Sequence, residues 1–144
     1  MIQMYIDRFQ ENKDRLSEYL RATPQSEYDT YKALLIKTIE LCLQDDDDYW
    51  SYDFLDIGKI TEIDDGDYQG TLLYLIPRST YQPAEYDYVT TYVGYGSCSG
   101  CDTLLGISNY SWDLPTDDQV NLYLTLCLHM VEHMEWFRER PWRK

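Results

Sequence analysis

The chain has 144 residues, 44% of them hydrophobic, which suits one domain with a real core and argues against a disordered tail. Its formal net charge of −14 argues against direct binding to DNA, RNA or anionic membrane, since that field repels phosphate and favours basic protein surfaces. Fifteen tyrosines against three phenylalanines supply large rings with a polar tip, suited to half-buried positions and to contact surfaces.

Residues 2–21 place Ile2, Ile6, Phe9, Leu16 and Leu20 at helical steps, so the chain is expected to open on an amphipathic helix. This stretch is mixed in charge and lacks a signal-peptide core, and no apolar run approaches the roughly 20 residues that span a bilayer. A reducing cytoplasm is the expected compartment, where four cysteines read as thiols or metal ligands rather than disulfides. Thr23-Pro24 offers a start for a second helix, a capping hydroxyl before the residue favoured at the first helical position. That helix carries Tyr28, Tyr31, Leu35, Ile39 and Cys42 on one face and is expected to end near Gln44.

"QDDDDYW" follows. Four aspartates just beyond a helix C-terminus sit against the negative end of its dipole. A solvated loop explains the run. The sharper reading is a contact surface in which Asp45, Asp46, Asp47 and Asp48 stand beside the aromatic anchors Tyr49, Trp50 and Tyr52 and meet a basic partner.

The middle of the chain is strand-like. "FLDIGKITEI" alternates, with Leu55, Ile57, Lys59 and Thr61 on one side; "TLLYLIP" reads as a central strand and "EYDYVTTYVGY" as a third. Asp65-Gly66 signals a hairpin between the first two through the tolerance of Gly for positive φ, and Pro77 and Pro83 bracket the next connection. "DTLLGI" is a short helix capped by Asp102 or Thr103, and "SNYSWDLP" a loop. The last helix begins with a capping box, Thr116 with Gln119, carries Asp117 and Asp118 in its first turn, and is expected to run to Arg138 and Arg140 before Pro141 stops it. Val120, Cys127, Val131 and Met134 form one stripe on it; Leu122, Leu126, His129, His133 and Trp136 form another. Two stripes predict a helix covered on both sides. The expected fold is α+β in a single domain: two N-terminal helices, an antiparallel sheet of about three strands, and a long C-terminal helix packed centrally.

The chemistry-bearing residues are few. Cys98-x2-Cys101 presents two thiols in a turn, and His129 and His133 present two imidazoles one helical turn apart. Two plus two is the tetrahedral set of a structural zinc site, so zinc is the candidate cofactor; a tight turn and ordinary helix residues are the plainer reading. A strand, then Cys-x-x-Cys, then a helix also has the order of a thiol oxidoreductase, although Asp102 and the acidic field oppose a thiolate. "HMVEH" matches the zinc-peptidase pattern H-x-x-E-H, but this chain is small for such an enzyme. "DDGD" lacks the oxygen ladder of a calcium loop, and no lysine accompanies Gly94, Gly96 and Gly100 to hold a phosphate. Catalysis is not expected.

The strings "IDDGDYQGTLLYLIP", "YVGYGSCSGCDTLLGI" and "LYLTLCLHMVEH" together resemble a group of small acidic proteins encoded by phages and prophages of Gram-positive bacteria, "YGSCSGCD" being the specific part. The resemblance covers roughly the C-terminal two-thirds. It brings no catalytic residues or cofactor to these positions. It implies context, a phage-derived protein in a bacterial cytoplasm. With the acidic charge, the expected function is non-enzymatic binding to a host protein with a basic surface, such as a nucleic-acid-handling or defence complex; an anti-CRISPR type of inhibitor is the concrete version. A small zinc-stabilised regulatory or assembly protein is the alternative.

Overall fold

The computed structural model describes residues 1–138. Helix α1 spans Gln3–Ala22 and buries Tyr5, Phe9, Leu16 and Leu20 along one side; of the expected stripe, Ile6 is only half-buried and Ile2 is half-buried just before the helix. Thr23 and Pro24 stop α1 instead of starting its successor. Thr23 is extended, its N–H meets the Leu20 carbonyl at 3.5 Å, and the chain enters a short 3₁₀ turn over Gln25–Tyr28. The second helix, α2 (Tyr31–Thr38), begins seven residues later than expected of a Thr23 cap, because Thr30 supplies the cap: its hydroxyl accepts the Ala33 N–H at 3.1 Å. The expected face is nonetheless the buried one, with Tyr28, Tyr31, Leu35, Ile39 and Cys42 all in the core. Thr38 donates its hydroxyl to the Leu34 carbonyl at 2.7 Å, a back-bond that bends helices, and a π-helical turn over Ile39–Leu43 follows.

The sheet has four antiparallel strands in the order β1-β2-β3-β4. β1 (Thr61–Asp64) is shorter than the alternation from Leu55 predicts. The Asp56 carboxylate accepts the Gly58 N–H at 3.1 Å and curls Ile57–Lys59 into a 3₁₀ turn, leaving Leu55 as a single bridge to Arg78. β2 (Gly70–Pro77) pairs with β3 (Tyr88–Tyr95) over its whole length, from Gly70 opposite Tyr95 to Pro77 opposite Tyr88. Gly66 is required in the β1–β2 hairpin by close approach and not by a left-handed backbone: no described glycine has positive φ, whereas a Cβ here would lie 2.1 Å from the Gln69 carbonyl oxygen.

Helix α3 (Thr103–Ser108) is capped by Asp102, which accepts the Leu105 N–H at 3.0 Å. Helix α4 (Asp117–Glu132) opens on the expected capping box, reciprocal between Thr116 and Gln119. It ends earlier than its sequence suggests. His133 closes the last turn, and Glu135–Trp136 forms β4, opposite Thr90 and Val89 of β3, while the Phe137 N–H meets the Tyr88 carbonyl at 2.9 Å. The open edge of β3 thus competes successfully for residues that could have continued a helix. Arg140 and Pro141, the expected terminator, lie outside the described residues.

The architecture is α+β in two layers. α4 packs on α1, α2, α3 and β3. One face of the sheet, with Tyr74, Ile76, Val89 and Val93, is buried in the core, while Ile63 and Tyr92 are exposed. The first stripe of α4 is buried throughout. In the second, Leu126 is buried and Trp136 half-buried, but Leu122, His129 and His133 are exposed, so that side is only partly covered. Among the described residues, no helix is long and apolar enough to cross a membrane.

Candidate functional site

Two regions carry the candidate residues. The first is the acidic loop. Gln44 leaves the helical backbone and pins the loop with both ends of its amide, donating to the Leu55 carbonyl at 2.9 Å and accepting the Leu55 N–H at 2.8 Å. Carbonyls at the preceding helix end are satisfied from α1: Arg8 reaches Leu43 at 3.1 Å and Asn12 reaches Cys42 at 3.2 Å. The aspartates are therefore separated from that helix end and form a 3₁₀ turn of their own over Asp46–Asp48.

Within the loop the side chains have different roles. Asp45 is paired with Arg15 at 2.7 Å, so its charge is partly answered inside the protein. Asp46, Asp47 and Asp48 are exposed. Trp50 is 91% exposed and stands edge-on to Tyr49, ring centroids 5.0 Å apart, while Tyr49 also leans on Phe54 at 5.3 Å. Tyr52 departs from the expected surface: it is half-buried, the Arg78 guanidinium lies 3.9 Å from its ring centre, and its hydroxyl approaches Asp87 at 3.4 Å. It braces the connection between β2 and β3. The loop thus offers three carboxylates and two aromatic rings, one of them almost wholly bare.

The second region is the cysteine turn between β3 and α3. Cys98 and Cys101 are both exposed, with sulfurs 2.9 Å apart. The Cys98 N–H points at the Cys101 sulfur from 3.1 Å, and the Cys98 carbonyl accepts the N–H groups of Cys101 and Asp102 at 3.1 and 2.9 Å. The Cys98 thiol and its N–H together hold the Cys101 pKa below the usual thiol range, against the expectation that the acidic surroundings would raise it. Gly96 lets the turn close: a Cβ there would lie 2.4 Å from the Cys101 carbonyl oxygen. Buried Asp102 fixes the far side, accepting from the Gly96 N–H at 2.9 Å and from the Tyr31 hydroxyl at 2.8 Å. Sequence reading offered Asp102 or Thr103 as the cap but missed the role of Tyr31, whose partner lies 71 positions away.

Cys101, His129 and His133 line one cleft of about 380 Å³, together with Tyr92 and Gly94 of β3. The fold thus brings three of the four candidate zinc ligands to shared walls, with Cys98 adjoining through Cys101. His133 stacks flat on Tyr92, centroids 4.2 Å apart, and its Nδ1–H donates to the Tyr92 carbonyl at 3.2 Å. Two thiolates on a tetrahedral zinc stand about 3.8 Å apart, given a Zn–S bond of about 2.3 Å. The observed pair is closer, and among the described residues no three His, Cys, Asp or Glu side chains are gathered to hold a metal ion.

Compared with family models, with curated proteins and with solved structures, the chain matches none.

Proposed function

We propose that this chain is a binding protein that docks the Asp46–Trp50 loop on a basic surface of a host protein and makes or breaks no bond there. The observation that carries the reading is Trp50: an indole 91% exposed, beside three free-standing carboxylates, on a loop anchored at its root by Gln44. A bare tryptophan contributes nothing to the core, whereas at an interface it is the residue type that most often dominates binding. Carboxylates around it steer a positively charged partner and set the salt dependence of encounter. The net charge of −14 extends that field over the molecule. Resemblance of the "YGSCSGCD" region to phage-encoded acidic proteins supports a partner in the bacterial cytoplasm, and a nuclease or defence complex with a basic nucleic-acid site is the class that fits the charge.

The test is a pull-down from bacterial host lysate at low and high salt, read by mass spectrometry, with the natural chain, Trp50→Ala, and a triple Asp46/Asp47/Asp48→Asn variant. A protein retained by the natural chain and lost by both variants supports the reading. Trp50→Ala should weaken that complex by roughly 2 kcal/mol or more, and the triple variant should slow association and flatten its salt dependence. Equal capture by all three chains would remove this loop from the interface.

A further inference from the structure

The cleft beside the cysteine turn has a second property. β4 covers only Val89 and Thr90 of β3, so that among the described residues no strand lies beside the outer edge of β3 from Thr91 to Tyr95. Antiparallel strands direct alternate residues to opposite neighbours. The Tyr88 carbonyl meets Phe137 on the β4 side, so Tyr92 and Gly94 also direct their backbone groups there, and the His133 bond to the Tyr92 carbonyl comes from that side. This edge lines the same cleft as Cys101. At the Tyr95 end, the tyrosine hydroxyl donates to Asp64 at 2.5 Å, and Asp65 and Asp67 lie on the same hairpin.

We infer that Cys98 and Cys101 form a dithiol–disulfide exchange centre whose substrate is a disulfide carried on an extended, basic polypeptide segment laid along the free edge of β3. The thiols are exposed, adjacent and held on a turn whose ends are fixed by Asp102 and Gly96. The edge offers the Tyr92 N–H and the Gly94 backbone groups to an extended segment, as in strand addition, while the Tyr92 carbonyl already accepts from His133. The net charge of −14 supplies the attraction for lysine or arginine.

The chemistry balances with two cysteines. Cys101, which lines the cleft and receives the Cys98 N–H, loses its proton to water and attacks one sulfur of the substrate disulfide. The substrate S–S bond breaks, its other sulfur departs as a thiolate and takes up a proton, and a Cys101–substrate disulfide forms. Cys98, 2.9 Å away, then loses its proton and attacks the Cys101 sulfur, releasing the second substrate thiolate, which is protonated in turn. Two electrons pass to the substrate, which leaves as two thiols, and the protein keeps a Cys98–Cys101 disulfide. A low-molecular-weight thiol in excess returns the pair to its reduced form. None of this involves the Asp46–Trp50 loop, so either proposal can fail alone.

The experiment uses the full chain, reduced and freed of metal with chelator. Three disulfides are offered at equal concentration: a lysine-flanked peptide disulfide, its glutamate-flanked counterpart, and oxidised glutathione. Mass spectrometry after acid quench should show loss of two hydrogens at Cys98 and Cys101, with the lysine-flanked peptide reacting roughly tenfold faster than glutathione. Cys98→Ser should accumulate a peptide adduct on Cys101, while Cys101→Ser should not; circular dichroism establishes that both variants are folded. Methylating alternate backbone amides of the peptide should abolish its advantage. Failure to form the intramolecular disulfide overturns the exchange centre. Equal rates for all three disulfides overturn the strand-edge substrate.

Discussion

The Tyr31 hydroxyl stands between Asp102 and the start of α3: it donates to Asp102 Oδ1 at 2.8 Å and accepts the Leu104 N–H at 3.1 Å. One phenol thereby ties α2 to the cap of the cysteine turn, inside the core. Tyr31→Phe keeps the ring but leaves a buried carboxylate with one donor fewer and a buried N–H without its acceptor. The expected cost is roughly 1–3 kcal/mol in denaturant unfolding. The turn should loosen as well, so intramolecular disulfide formation between Cys98 and Cys101 should slow in the folded variant. Unchanged stability would show that Asp102 is adequately held by Gly96 and Leu105.

A second buried contact predicts behaviour in acid. Asp87 is 4% exposed; it accepts from Arg78 at 2.6 Å, from the Ala84 N–H at 2.9 Å and from Tyr52 at 3.4 Å. Burial alone would raise its carboxyl pKa, but the Ala84 N–H, the Arg78 guanidinium and the Tyr52 hydroxyl outweigh it and hold the pKa below the ordinary value. A folded-state pKa below the unfolded one gives stability that is fully present above the unfolded aspartate value, about 3.9, and lost as pH falls through the folded value. The protein should therefore lose this contribution only below about pH 4. Asp87→Asn should cost roughly 2–4 kcal/mol at neutral pH, because Arg78 keeps a partly buried charge without its counterion. The variant should also show a shallower loss of stability on acidification. Identical acid dependence in both chains would mean that Asp87 does not report on this window.

Helix α4 offers a test of a local signal. Thr116 Oγ1 accepts the Gln119 N–H at 3.2 Å, and the Gln119 side chain returns a bond to the Thr116 N–H at 2.9 Å. Gln119 also donates to the Ile107 carbonyl at 3.0 Å, which joins the cap to α3. Thr116→Ala should lower stability by about 1 kcal/mol. Gln119→Ala should cost more, since it removes the tertiary bond as well. The reverse ranking, measured by chemical denaturation, would assign the stabilisation to the cap alone.

Signals confined to one turn of chain were legible in the sequence: the α4 capping box stands where its pattern puts it, the α3 cap is Asp102, one of the two residues expected, and the face expected of the second helix is buried, whereas the β1–β2 hairpin forms without the positive φ expected of Gly66. Competition between elements was not legible. Helical spacing from His133 to Trp136 is genuine, yet the residues join β3, because a sheet edge elsewhere in the chain offers them hydrogen bonds. The alternation from Leu55 is likewise overridden by the Asp56 side chain, and Thr23-Pro24 ends a helix as readily as it could begin one. At the candidate sites, sequence located the acidic loop and the cysteine turn. It could not separate Tyr52, held by Arg78, from exposed Trp50, nor reveal that β3 leaves an edge open beside Cys101.

Thiol reactivity separates the four cysteines and tests the metal reading together with it. Cys42 and Cys127 are buried, and burial pushes their thiols up to about 11 and about 12. Cys98 and Cys101 are exposed, with Cys101 lowered by its neighbour. At about pH 8 a small thiol reagent should modify two cysteines per chain promptly, identified by peptide mapping as Cys98 and Cys101, and the other two only in denaturant. Chelator should leave the prompt phase unchanged, since sulfurs 2.9 Å apart are too close to share a tetrahedral zinc without rearranging. Protein purified without chelator should accordingly hold well under one zinc per chain. If instead the prompt phase emerged only after chelator, with zinc near one equivalent and lost on His129→Ala or His133→Ala, the turn would be a metal centre closed by α4. The exchange chemistry would then give way to a structural role.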